Sequence, residues 1–532
     1  MDASTNTGHP RRWGILTVLV VSLLVVVLDN TVLNVAMKTI ADPKQGLGAS
    51  QSQLEWTINS YTLVFAGLLF TAGVLGDRYG RRLTLLIGLS LFGLASLASA
   101  YAQSPGQLIG ARALMGIGGA AVMPATLSII ANVFDPRERA RAIGVWAGSV
   151  GLAVAIGPVV GGALLEHFWW GSVFLINVPI VLVGVVAVLV VVPESRDPRP
   201  GRLDLGGVVL SIAGLVSLVF GVIHGGEHGF SHPAAWAPIA GGLAVLVGFV
   251  GYERRIPFPS LDVTLFNNPR FSAAVAAVGL VFFAAMGSLF FFAFYLQLVR
   301  NLTPLQAGAL MTPFALAQMI CSPLSSSLVR RYGPKAVSAA GLLLTTLVLA
   351  SFAAVQVNTP LWMVGALFFL NGVGMANVMP PAMESIMSTL PREKAGVGSA
   401  VSNTIRQVGG ALGVAVLGSV LSAAYRTGIT PNLPAGLPAA ARDSAGESIA
   451  GGYAVAAQLG APATGALQTA ANNAFVHAMH YSAGLAAVVA LLAALAVLKW
   501  LPRSSAPNAV GYAGPPPATA AAGERLELAE TS

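Results

Sequence analysis

Fourteen apolar segments, each long enough to cross a lipid bilayer, constrain this chain more than any other feature. A spanning helix needs about 20 mainly apolar residues, and only 9% of the 532 residues are charged, against about 25% in soluble domains. The segments are roughly 13–37, 54–76, 83–101, 107–132, 140–165, 172–192, 206–225, 236–252, 271–298, 306–329, 335–355, 360–383, 399–424 and 476–500. The sequence therefore predicts an all-α integral membrane protein with an uncleaved first helix.

The distribution of basic residues predicts the orientation. With a cytoplasmic N-terminus, 22 of the 29 Lys and Arg residues fall in inside segments, as the positive-inside rule expects. An even number of helices then places residues 1–12 and the tail 502–532 in the cytoplasm, and the Pro- and Ala-rich tail is predicted to be disordered. This bias accounts for the net charge of +8 without a nucleic-acid partner. We expect the protein in the plasma (inner) membrane.

The chain contains an internal repeat. Three short motifs of the first half recur in the second: Met115–Pro124 as Asn371–Pro380, Pro136–Glu138 as Pro391–Glu393, and Arg78–Gly80 as Arg331–Gly333. Each match links one predicted helix to the eighth after it, which fits two six-helix bundles and a two-helix insertion. We therefore divide the chain into 13–193, an inserted 194–270, and 271–501 with an outside loop at 425–473. Parallel halves of this kind are a known transporter design.

Asp29 is the most informative single residue. It lies about fifteen residues into the first segment, or roughly 22 Å along a helix, where a carboxylate is costly unless it is paired, protonated or hydrated. We interpret it as a proton- or cation-binding site, with a purely structural ion pair as the alternative.

Arg112, in the fourth segment, is placed at a similar depth in the outer half of the bilayer. Because Arg keeps its proton, protonation of Asp29 would switch such a pair between charged and neutral states. The Asp29–Arg112 pair is thus a predicted proton-coupling device, and a permanent salt bridge is the alternative.

A charged glycine motif joins the second and third segments on the inside. It contains Gly73, Asp77, Arg78, Gly80 and Arg81. Glycine permits a tight turn, and Asp77 can cap a helix or pair with an Arg. We predict a conformational latch here; an orientation signal alone is the alternative.

The fifth segment is rich in small residues and carries one proline. The relevant positions are Gly148, Gly151, Gly157, Pro158, Gly161 and Gly162. Small residues four apart let helices approach closely, and proline bends a helix. This favours a rocking interface between the halves, whereas ordinary membrane-helix packing is the alternative.

A substrate cavity would need apolar and aromatic surface. The candidates are Asn34, Tyr61, Phe290, Phe294 and Arg406; Arg406 either faces the cavity or extends to the inner surface. Such a permissive pocket would suit hydrophobic or cationic small molecules.

Other chemistry has little support in the sequence. His224, His228 and His232 have metal-like spacing, but neighbouring glycines predict an outside loop there rather than a continuous helix. The single cysteine excludes a Cys metal cluster, and no phosphate-binding loop of the Gly-Lys-Ser/Thr type is present. We therefore expect no metal, no cofactor other than the proton gradient, and no enzymatic activity.

Together these motifs resemble the fourteen-helix drug:proton antiporter branch of the major facilitator superfamily. The resemblance covers the chain to about Arg503 and rests on 28–36, 73–82, 108–116 and 148–162; Gly157-Pro158 is the pattern associated with antiporters. It implies proton-coupled export of hydrophobic, often cationic, drugs, dyes or antibiotics. We expect the protein to act as a monomer. The chain departs from the family at Trp169-Trp170-Gly171, where Trp-Arg-Trp is common.

Two alternatives stay open. The same fold could export a single endogenous metabolite, such as an antibiotic, a siderophore or a lipid. More remotely, the chain could be a membrane sensor or a metal-dependent membrane hydrolase that uses the loop histidines.

Overall fold

The computed structural model describes residues 9–197, 203–230, 232–257, 259, 261–390, 395–434, 437–459 and 463–501. In this part of the chain the regular secondary structure is entirely helical. Most of the predicted 1–12 and all of the predicted 502–532 lie outside the described residues. The α-helices are α1 Arg12–Ala41, α2 Gln51–Tyr79, α3 Arg81–Ala100, α4 Pro105–Val133, α5 Pro136–His167, α6 Ser172–Leu175, α7 Asn177–Val191, α8 Leu205–His228, α9 Pro233–Glu253, α10 Pro269–Phe294, α11 Pro304–Phe352, α12 Leu361–Ala376, α13 Met379–Ser388, α14 Ala395–Ile429, α15 Ala439–Glu447, α16 Ile449–Ala456 and α17 Ala463–Trp500.

Twelve candidate membrane spans are found among the described residues. One of them, α11, is 49 residues long and is interrupted at Gly333, whose φ of 81° and ψ of 159° are not helical. The 32-residue α5 is not among the twelve, although its part from Leu152 to His167 forms a shorter apolar helix. The molecule is therefore an all-helical multi-pass membrane protein with about twelve apolar helices.

Gly80 and Gly333 occupy equivalent places in the internal repeat. Gly80 separates α2 from α3 with φ 128°, and Gly333 interrupts α11 with φ 81°. These positive φ values are accessible to glycine but strained for other L-residues. The repeated Arg-Tyr-Gly motif therefore ends in the same kind of backbone break in both halves.

The repeat also places close helix contacts at matching positions. A Cβ added at Gly88 of α3 would overlap the backbone of Gly118 of α4, and one added at Gly341 of α11 would overlap the backbone of Gly374 of α12. Gly88 and Gly341 each lie eight residues after the glycine of the break. Without side chains between them, the two helices of each pair can approach to backbone contact.

The two halves meet at the end of the bundle where α1 ends and α2 begins, here called the α1–α2 end. Lys38 donates to the carbonyl of Gln297 at 3.0 Å, and the Gln297 amide donates to the Val35 carbonyl at 2.9 Å. At the same end α5 packs against the beginning of α11, where a Cβ added at Gly308 would overlap the Pro158 backbone. This structure therefore represents a state in which the halves are in contact at the α1–α2 end.

Two segments of the second half differ from their predicted secondary structure. The predicted loop 425–473 contains the end of α14, the helices α15 and α16, and the first turns of α17. The alanines of this segment favour helix formation. Its many Gly and Pro residues had instead favoured the prediction of a loop. The predicted helix 360–383 is divided into α12 and α13 at Asn377 and Val378, just before Pro380 and Pro381.

Candidate functional site

The side chains of Asp29 and Arg112 form a buried ion pair. Arg112 Nη1, on α4, donates to Asp29 Oδ2, on α1. Asp29 is 2% exposed and Arg112 is 0% exposed. The structure thus brings together the two residues that the sequence placed at one depth, and it excludes both bulk water and the lipid-facing surface as the location of Asp29.

Asn177 provides a third polar contact that the sequence did not identify. Its Nδ2, at the beginning of α7, donates to Asp29 Oδ1 and to Ser96 Oγ, each at 3.1 Å. Ser96 Oγ in turn donates to the Phe174 carbonyl at 2.8 Å. An asparagine inside an apolar segment was the available signal, but only the fold could place it beside Asp29.

Backbone and aromatic groups hold the rest of the Arg112 guanidinium. Its Nε donates to the Thr57 carbonyl at 3.2 Å. Its Cζ lies 4.5 Å from the centroid of the Tyr61 ring and 5.9 Å from that of Phe174, distances suited to cation–π attraction. Nη2 has no hydrogen-bond partner among the described residues.

The pair has chemical consequences because both charged side chains are buried. A proton added to Asp29 would leave Arg112 as an unpaired buried cation with one already unpartnered nitrogen, which is costly in a low-dielectric environment. The ion pair and its protonated form therefore favour different arrangements of α1, α4 and α7. This geometry is expected both for a permanent salt bridge and for a pair that switches between charged and neutral states.

Two carboxylates contact the glycine motif at the opposite end of α2. Asp77 pairs with Arg81 at 2.9 Å, which is one of the two roles that the sequence suggested for it. The N-terminus of α3 is instead capped by Glu194, whose oxygens accept from the backbone N–H of Arg82 at 3.1 Å and of Leu83 at 3.3 Å. Glu194 comes after α7, so its role depends on a contact that sequence spacing could not reveal.

The other residues of this motif have simpler surroundings. Gly73 packs near Pro124 of α4, and the Arg78 guanidinium lies 5.6 Å from the Tyr79 ring centroid.

The glycines of α5 divide into two groups. A Cβ at Gly157 would overlap Thr31 of α1, one at Gly161 would press on Val32 of α1, and one at Gly162 would overlap Leu305 of α11. A Cβ at Gly148 would meet nothing within 4 Å, and Gly151 is described only by its place in α5. The close contacts of α5 therefore concentrate in its second half.

The predicted aromatic cavity is closed in this state. Tyr61, Phe290 and Phe294 are each at most 1% exposed; Tyr61 stacks on Arg112, and Phe290 packs edge-on against Phe294 with their centroids 5.7 Å apart. In this conformation the aromatic surface is used in helix packing, and its role in a substrate cavity stays a prediction.

The two polar candidates are half-buried. Asn34 donates to the Asn30 carbonyl of its own helix at 3.2 Å. The Arg406 guanidinium lies 5.4 Å from the Phe282 ring centroid.

His224 and His228 lie in α8 and not in a loop. Their rings stack with centroids 4.3 Å apart, since a spacing of four places them on one helix face. The prediction of a loop here was wrong because the glycines at 225 and 226 are accommodated by close packing, Gly226 against Ser419. The described residues contain no group of three or more potential metal-ligating His, Cys, Asp or Glu side chains.

A family model described as "Major Facilitator Superfamily" matches residues 19–414. The chain is 38% identical to the multidrug efflux pump LfrA of Mycolicibacterium smegmatis, over 93% of this chain and 97% of that protein. It is 34% identical to the tetracenomycin C resistance and export protein of Streptomyces glaucescens, over 93% and 92% of the two chains. It is also 34% identical to the methyl viologen resistance protein SmvA of Salmonella typhimurium, over 92% and 98%.

Solved structures share the fold at low sequence identity. A bacterial homologue of the human lysosomal transporter Spinster, in an inward-facing and unoccupied conformation, superposes with a TM-score of 0.64 at 18% identity, covering 92% of this chain and 98% of that one. A peptide transporter POT in complex with sulfate superposes with a TM-score of 0.60 at 15% identity, covering 93% and 96%.

Proposed function

This chain belongs to the Major Facilitator Superfamily, and from that premise we propose that it is a proton-coupled antiporter that exports hydrophobic or cationic small molecules across the bacterial plasma membrane. The single observation that carries the proposal is the buried Asp29–Arg112 pair. An intramembrane carboxylate held by a permanent cation is a device for coupling proton binding to conformational change.

The coupling would follow from the cost of leaving either charge alone. When Asp29 takes a proton, Arg112 loses its counter-charge and the contact through Asn177 weakens. The helices that carry these residues then favour another arrangement, in which Asp29 can return its proton on the other side of the membrane. Alternating exposure of one acid is sufficient to couple a proton gradient to export.

We also propose that the membrane domain has fourteen helices. Counting α11 as two helices, because it breaks at Gly333, and adding α5 brings the twelve candidate spans to fourteen. An even number and the inside bias of Lys and Arg together favour two cytoplasmic termini. On this proposal 13–193 and 271–501 form the two bundles, with α8 and α9 as the insertion and the protein acting as a monomer.

The substrate class is proposed from the relatives. Three proteins aligned over nearly the whole chain carry the words multidrug efflux, methyl viologen resistance, and tetracenomycin C resistance and export in their names. The first two favour a broad range of apolar or cationic compounds. A cavity for them would have to form by separation of helices that are packed here, with Arg406 and Asn34 as its half-buried polar candidates.

A dedicated exporter of one metabolite is the second candidate. It is favoured by the Streptomyces glaucescens relative, whose name gives one compound as the cargo. A susceptibility panel on a deletion strain distinguishes the two: sensitivity to many unrelated compounds supports the broad exporter, and sensitivity to one supports the dedicated exporter.

Proton flux in proteoliposomes tests the proposal directly. The protein is reconstituted with a pH-sensitive dye inside, and methyl viologen, ethidium or a neutral antibiotic is added in turn. We expect compound-dependent proton movement that collapses when an ionophore dissipates the gradient. Compound transport that is indifferent to the gradient would contradict proton coupling.

A further inference from the structure

A second acidic side chain is buried in the membrane-spanning part of the chain and has no role in the mechanism above. Glu55 lies near the start of α2, at the α1–α2 end, and is 2% exposed. It forms no ion pair with any described residue, and its Oε2 has no hydrogen-bond partner among them. A charged carboxylate in such a position is costly.

Glu55 lies where the two halves touch. A Cβ added at Gly418 of α14 would overlap the Glu55 carboxyl group, so the acid is packed directly against the backbone of the opposite half. Further along the same contact, Leu63 of α2 packs with Ala411 and Ala415 of α14. We call this contact the α2–α14 seam. Separation of the halves at the α1–α2 end would open the seam and admit water to Glu55.

The inserted helix α8 covers the seam from the side. Its Ile212 fills the space beside Gly67 of α2, and its Val222 carbonyl accepts from Ser419 Oγ of α14 at 2.9 Å. Near its end, α8 carries Glu227, which is close enough to act electrostatically on Glu55. The insertion thus places a like charge beside the buried acid, with His228 of the same helix 3.8 Å from Glu227.

The other titratable groups around the seam are also acidic or neutral, except near its rim. Tyr425 of α14 and Glu447 of α15 line a small cavity next to Gln51, and the Tyr425 hydroxyl has no hydrogen-bond partner among the described residues. Burial, and then the nearby charge of Glu227, raise the pKa of Glu447. Arg426 and the His228 ring, at the rim of the seam, lie close enough to act electrostatically on Glu447.

One buried cation, Arg112 of α4, contacts α2 close to Glu55 but is already paired. Arg112 donates to the Thr57 carbonyl, two residues after Glu55, but its charge is directed to Asp29. The uncharged form of Glu55 is therefore the form that this packing accommodates.

We propose that Glu55 is a second proton-binding site, which holds its proton while the α2–α14 seam is closed and releases it to water when the halves separate at the α1–α2 end. One proton is bound by the Glu55 carboxylate on closing, and one passes to a water molecule on opening. This inference deepens the proposed transport function, from which it takes the opening and closing of the halves. Its test needs neither a substrate nor a proton gradient.

The test measures how seam opening depends on pH. In a Cys321→Ser background, Ser419→Cys places a near-isosteric thiol in the seam, and Thr427→Cys places a thiol at an exposed position of the same helix. Both proteins are placed in lipid nanodiscs and labelled with a water-soluble maleimide between pH 5 and 9. Dividing the first rate by the second at each pH removes the intrinsic reactivity of the reagent.

Release of one proton per opening predicts that the normalised rate rises by up to about tenfold per pH unit. In Glu55→Gln the rate should stay low and lose this slope, because a neutral side chain tolerates burial at every pH. Glu55→Asp, which keeps an acid, should retain the slope. Asp29→Asn should also retain it, which separates this inference from the coupling role of Asp29.

A Glu55→Gln protein that keeps the slope would overturn the proposal. If Glu55→Gln does not elute as a folded protein, the test uses folded Glu55→Asp. A labelling rate that does not depend on pH in that variant would also overturn the proposal. A failure of substrate-driven proton flux in proteoliposomes would count against the proposed function and would leave this labelling result intact.

Discussion

Arg112 on α4 donates to the Asp29 carboxylate on α1, and both side chains are at most 2% exposed. The two residues lie 83 positions apart in the sequence. Their contact therefore depends on the fold, which brings α1 and α4 together. The pair joins two helices of one bundle, so a change in its charge acts first within that bundle.

Replacing Asp29 by Asn should abolish proton-driven dye efflux. Asn resembles the protonated acid in shape but cannot release a proton, so efflux should fall to the rate of empty vesicles. Uptake of a fluorescent dye into everted vesicles under an imposed pH gradient, which corresponds to export from the cell, measures this. Asp443→Asn, at an exposed site of α15, is the matched control and should export at the wild-type rate; full activity in Asp29→Asn would contradict the coupling role.

Removing one partner of the pair should cost more stability than removing both. Arg112→Met leaves Asp29 as an uncompensated buried charge, which costs about 3–5 kcal/mol. The double variant Asp29→Leu with Arg112→Met removes both charges and should recover much of that loss. Thermal unfolding in detergent checks the order, and a double variant less stable than Arg112→Met would argue against it.

The glycines of α5 should differ in their tolerance of alanine. Gly162→Ala places a methyl group on Leu305 of α11 and should cost about 1–3 kcal/mol in the closed state, slowing efflux. Gly148→Ala, in open space, should leave efflux unchanged. Transport by the two variants is compared in everted vesicles at equal expression. Equal activity would contradict a role for close packing in the second half of α5.

Gly80→Ala should destabilise the link between α2 and α3. A positive φ costs a non-glycine residue about 1–2 kcal/mol, and the new methyl group would also displace the Glu194 carboxylate from the N-terminus of α3. Gly106→Ala, where a Cβ would meet nothing within 4 Å, is the control. The apparent melting temperature in detergent should fall for the first variant only.

The helices α15 and α16 should become less stable as the pH rises. Burial and Glu227 raise the folded-state pKa of Glu447 above its ordinary value of 4.5, so the folded segment binds this proton more tightly than the unfolded one. Its stability is then greatest below pH 4.5 and falls as the pH rises through the raised pKa. Hydrogen exchange of 439–456, corrected for intrinsic rates, should show this trend in the wild type and lose it in Glu447→Gln.

The sequence predicted those features that depend on the bilayer and on the internal repeat. The depth of Asp29 and Arg112 could be counted along two apolar segments, and the kinked Gly333 was matched in advance to Gly80. Both inferences use distance along a helix, which the helical rise fixes.

What the sequence could not supply depends on contacts between distant segments. Glu194 caps α3 from beyond α7, and Asn177 reaches Asp29 across 148 residues. The position of Glu55 near a helix end gives no sign of burial in the sequence. Its burial comes from α14 and α8, whose packing against α2 has no signature in the local pattern.

The repeated contacts Gly88–Gly118 and Gly341–Gly374 have a mechanical consequence. Where backbone meets backbone, there are no rotamers to rearrange and no side chains to slide past one another. Each such helix pair should rotate as one rigid body, with its hinge at the positive-φ glycine eight residues away. Flexibility during transport is then expected between such helix pairs, at interfaces where longer side chains pack against each other.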